Sequence, residues 1–146
     1  MKIRILFALA LAGMPAACSG GTPSPAGWQP VPGASPNSEW SSGSGQSLQT
    51  YRFEERQFSG TLQELASQQA TDFVKNTKGA HFDGSDTFAP CPGQAALEYF
   101  SVPTQGIYVQ GVATRNGNAT VVTYSRPANT QIPAEVTQAM QKGLCG

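Results

Sequence analysis

The sequence predicts an α+β fold: an antiparallel β-sheet of about four to six strands packed by two α-helices in an αβα-sandwich-like arrangement. Three observations point to it. Residues Thr61 to Lys78 form a capped helix with one apolar stripe, so a sheet must cover that stripe. Asn116-Gly117, between two β-rich runs, is a strong hairpin signal. The 146 residues are 39% hydrophobic and 12% charged, which leaves room for one domain and little more.

Residues 1–17 read as a signal peptide. Lys2 and Arg4 supply the positive n-region, Ile5 to Ala12 is apolar, and small residues lead to Cys18. That apolar run is too short for a stable membrane span. Pro15-Ala16-Ala17-Cys18 resembles the bacterial lipobox, whose cysteine is acylated, palmitate being one of the chains, and becomes the mature N-terminus. Lipidation at Cys18 would make the chain a lipoprotein of the cell envelope, lipid-anchored and facing the periplasm or exterior. Pro15 stands where such signals usually carry Leu, so ordinary cleavage and free secretion stay open. Without the leader seven basic residues face nine acidic ones, a formal charge of −2, which argues against nucleic acid as a partner.

Residues 18–45 are rich in Gly, Ser and Pro and read as a lipid-attached tether whose later part packs on the domain; the single α+β domain is expected over 46–146. Trp28 and Trp40 lie in the tether. Large aromatics contribute mainly by burial, but these two, with Tyr108, are also the candidates for an exposed partner surface.

Ser47 to Phe58 alternates as a strand, with Tyr51 and Phe53 on one face and Thr50, Arg52 and Glu54 on the other. Thr61 and Glu64 form a capping box, Leu62, Leu65, Ala66, Ala70, Phe73 and Val74 make the stripe, and Gly79 closes the helix. In Ala80 to Phe88, His81, Asp83 and Asp86 are atoms a metal could use, whereas Asp83-Gly84 predicts a hairpin turn without metal. No cofactor is expected. Gln94 to Val102, Gly106 to Arg115 and Asn118 to Arg126 predict a three-stranded meander, covered on both faces because Val121 and Val122 point opposite ways. Gly111 in mid-strand predicts a bulge or a close approach by another element. Pro133 starts the last helix, with Val136, Ala139 and Met140 inward and Gly143 breaking it.

Three cysteines, with Cys18 at the processing site, leave Cys91 and Cys145 either as a disulfide suited to an oxidising compartment or as two buried thiols. Pro90 and Pro92 stiffen the setting of Cys91, which suits a staple better than a nucleophile.

The segments QTYRF before the helix, SGTLQELASQQ at its start, CPG at Cys91, VVTYSRP and the terminal LC resemble the PsbP/Mog-like domains of small bacterial envelope lipoproteins. The resemblance implies an antiparallel sheet between helices and a non-enzymatic module that binds an envelope protein or supports an assembly. The residues themselves also allow a small-ligand or metal-binding module, using a sheet–helix pocket or the His81–Asp86 turn.

Overall fold

A computed structural model describes residues 22–34, 38–128 and 131–146. The Cys18 and signal-peptide readings lie outside them. The chain forms strands β1 (Gln29–Pro30), β2 (Glu39–Ser42) and β3 (Gln49–Gln57), helix α1 (Leu62–Asn76), strands β4 (His81–Thr87), β5 (Ala95–Val102), β6 (Gly106–Arg115) and β7 (Asn118–Arg126), and helix α2 (Ala134–Cys145). One antiparallel sheet of seven strands has the order β1-β2-β3-β7-β6-β5-β4, with a helix on each face. The strand count exceeds the expected four to six because residues 29–42 join the sheet: Glu39 to Ser42 pair with Gln49 to Arg52.

Alternation along the strands separates two layers. Under α2 lie Tyr51, Val122, Tyr124, Val109 and Ala113, joined by Trp28, Trp40, Val136, Met140 and Leu144. Under α1 lie Val112, Ala119 and Val121 with Leu65, flanked by Leu62 and Ala66. The capping box forms as predicted: Thr61 Oγ1 accepts from the Glu64 amide at 3.1 Å, and Glu64 Oε1 accepts from the Thr61 amide at 3.0 Å. That hydrogen bonding holds the Glu64 carboxyl below its ordinary range. Val74, expected in the stripe, is instead 41% exposed beyond the sheet's cover.

Two other expectations change. Asp83-Gly84 is not a hairpin turn: His81 to Thr87 is an edge strand, and Gly84 at φ 142° carries a bulge that shifts its register with β5. Gly143 does not break the last helix, which runs through it to Cys145. A Cβ at Gly143 would lie 2.9 Å from the Phe53 ring, so the missing side chain admits that ring. At Gly111 the expected close approach is α2, since a Cβ there would lie 2.6 Å from Leu144 Cδ1. The Asn116-Gly117 hairpin has both residues at positive φ, 52° and 80°.

Candidate functional site

On the α1 face, pairing registers align side chains in rows across the sheet. One row runs Thr50, Ser125, Tyr108, Phe100, Phe82. The next runs Arg52, Thr123, Gln110, Glu98. Its β3 end is in solvent, where Arg52 pairs with Glu54 at 3.3 Å. Its β5 end is covered by α1, leaving Glu98 3% and Gln110 6% exposed.

The Gln110 amide donates to Thr123 Oγ1 at 3.1 Å, which leaves its Oε1 free to accept. That oxygen and Glu98 Oε1 are both buried without a partner. Glu98 and Gln110 are directly opposed across β5 and β6. An ionised Glu98 would add acceptors beside an acceptor. A protonated Glu98 becomes a donor, and burial accordingly pushes its carboxyl up to about 7.

Beside this buried pair the first row opens into a groove of about 570 Å3. Its walls come from the loop around Gln46 and Leu48, the β5–β6 turn at Pro103 to Gly106, and Pro127 with Ala128; Thr50, Tyr108 and Ser125 form the floor. The Thr50 and Ser125 hydroxyls hydrogen-bond each other. Tyr108 donates to Gln105 Oε1 at 2.6 Å and packs tilted against Phe73 of α1 with centroids 5.2 Å apart. Burial raises the Tyr108 hydroxyl's pKa, so it remains a neutral donor. Leu48 is 43% exposed at the rim. These walls offer apolar contact and neutral hydrogen bonding.

The predicted site residues do not converge. Trp28 and Trp40 are core rather than partner surface: they are 8% and 7% exposed, and tilted against Tyr124 and Tyr51. Tyr108 alone of that set reaches the groove. His81, Asp83 and Asp86 lie along β4, with His81 opposite Ser101 and Asp86 opposite Leu97. Five residue steps along the strand, about 17 Å, separate the outer two, so they cannot share a metal ion. His81 Nδ1 lies 3.1 Å from the Phe82 carbonyl and 3.7 Å from Asp83 Oδ1, while Asp86 Oδ1 accepts from the Thr87 amide at 2.8 Å. Among the described residues no three His, Cys, Asp or Glu side chains gather to hold a metal. Cys91 and Cys145 are a disulfide with Cα atoms 5.6 Å apart.

Sequence reasoning passed over Glu98 and Gln110. The signal was a carboxylate at a period-two position between Ala96 and Phe100, both apolar. It also passed over Arg126, whose Nε and Nη1 are buried without a partner beside Tyr124. No described helix is long and apolar enough to cross a membrane. No known protein family, curated protein or solved structure matches the chain.

Proposed function

We propose that this is a non-enzymatic, exported lipoprotein of the bacterial cell envelope whose domain binds a partner protein. In this reading the chain is acylated at Cys18, and the groove beneath Leu48 receives an extended, uncharged segment of an envelope protein. The observation that carries the binding site is the pairing of an exposed Leu48 with a half-buried Tyr108 across a floor of neutral hydroxyls. A charged segment would meet no opposite charge among the residues lining the groove, so its desolvation would go uncompensated. The disulfide accords with an oxidising compartment. The resemblance to PsbP/Mog-like envelope domains supports a binding role over chemistry.

A photo-crosslinking residue at Leu48 in cells of the native host tests it. The expected result is one discrete adduct that disappears when Thr50→Lys places a charge on the floor. An adduct that survives Thr50→Lys, or none at all, overturns the assignment.

The groove volume supports a second reading, a small-ligand module, because about 300–1,000 Å3 is the range of ligand pockets. A neutral, partly apolar compound that raises the melting temperature and loses this effect in Thr50→Lys would favour it.

A further inference from the structure

We propose that the anchor fixes which way the domain faces: the corner where Pro23 meets α2 lies against the membrane surface, and the groove points away from it. This rests on the lipoprotein reading above. The sequence suggested a tether of up to 28 residues, Cys18 to Gly45, which would leave the domain free to tumble. The folded chain leaves much less slack. Pro25 is buried, Trp28 is core, and Pro23 stands at Gly143, where a Cβ would lie 3.8 Å from Pro23 Cβ. Only five residue steps separate Cys18 from Pro23, a reach of at most about 18 Å.

The position of that corner decides the pose. Gly143 packs on Phe53 on the α2 face, and the following Gly146 accepts from Arg115 Nη1 at 2.7 Å, beside the Asn116-Gly117 hairpin. Gly143 also borders a hollow with Arg115, Asn116 and Asn118, so the chain joins the folded domain on the α2 face between mid-strand Phe53 and the hairpin. The groove is on the other face, at the other end, since Thr50, Ser125 and Gly106 lie at the far ends of β3, β7 and β6. Phe53 and Thr50 are three residues apart on β3, about 10 Å, but they point to opposite faces, so the sheet itself stands between the entry point and the groove. An acyl chain held by this short connection brings the α2 face to the bilayer and turns the groove, on the opposite face, away from it. Lys142, exposed on α2 next to this corner, has the sign that suits anionic headgroups.

The test uses the full-length chain purified from its host and placed in phosphatidylethanolamine–phosphatidylglycerol vesicles carrying a headgroup nitroxide. A fluorophore is attached without reductant to Asn118→Cys at the hairpin end or to Thr104→Cys at the groove end; both positions are exposed. Quenching at 118 should exceed that at 104 by about threefold or more, given the short range of nitroxide contact and the length of the sheet. Twenty Gly/Ser residues inserted after Ser19 should remove the difference. Equal quenching in an acylated chain overturns the pose and leaves the lipoprotein reading intact. A mature chain whose mass shows no acyl group overturns both.

Discussion

The indole of Trp28 donates to Glu135 Oε2 at 3.3 Å, joining residues 107 positions apart. Through this contact a segment that reads as linker closes over the N-terminal turn of α2. Glu135 also sits where a carboxylate complements the helix dipole.

Trp28→Ala should therefore destabilise the domain as a core truncation does, by roughly 3–5 kcal/mol, and Glu135→Gln by about 1 kcal/mol. Urea denaturation followed by far-UV circular dichroism measures both. If Trp28→Ala changed stability by no more than a surface substitution, the N-terminal segment would not be part of the core.

Glu98 should make stability fall as pH rises. Its folded pKa, about 7, lies above the ordinary carboxyl value of 4.5, so the folded state keeps a proton that the unfolded chain releases. The contribution is full below about pH 4 and declines as pH rises from about 4.5 to 7. Above that it is lost, a difference of roughly 3 kcal/mol. Glu98→Gln, neutral at every pH and able to donate to Gln110, should flatten the profile and be more stable than wild type at pH 8. Denaturation midpoints at pH 5 and pH 8 decide the matter; parallel decline of both proteins would show that another group is responsible.

Opening the Cys91–Cys145 bridge should lower stability by roughly 4 kcal/mol, the chain-entropy value for a loop of this length. The bridge ties the end of α2 to the loop entering β5. A melting temperature unchanged by reductant, with alkylation confirming two free thiols, would remove its structural role.

Gly111→Ala should destabilise by about 1–3 kcal/mol, because the new methyl meets Leu144, itself 2% exposed in the core. Combining it with Leu144→Ala should give less than the sum of the two single effects, since the smaller side chain vacates that space. Additive effects in the double-mutant cycle would mean that the two positions do not compete.

Legibility followed how locally each feature is specified. The α1 cap needs only Thr61 and Glu64, and the hairpin only Asn116 and Gly117, so short-range chemistry reveals both. β1 and β2 are two and four residues long, and they are strands because β3 offers an edge to β2 and β2 in turn to β1, which Gly, Ser and Pro composition cannot show. The bulge at Gly84 and a hairpin turn draw on the same Asp-Gly preference, and only pairing with β5 distinguishes them. The groove assembles Leu48, Tyr108 and Ser125 from three distant segments, so its shape is a property of sheet order. Tyr108 alone of its residues was legible as a candidate. Glu98 was visible as a polar residue in an apolar alternation, but its burial depends on α1 lying above it.

The placement of β3 beside β7 also governs when the domain can come into being. Thr50 and Gln57 find their neighbours at Ser125 and Asn118, so a chain delivered N-terminus first holds β3 without its central partner until β7 has emerged. β5, β6 and β7 are consecutive and joined by short turns, and can pair among themselves as they appear. Closure of the sheet, and of the core that Trp28 and α2 complete, is thereby reserved for a chain that has arrived nearly whole.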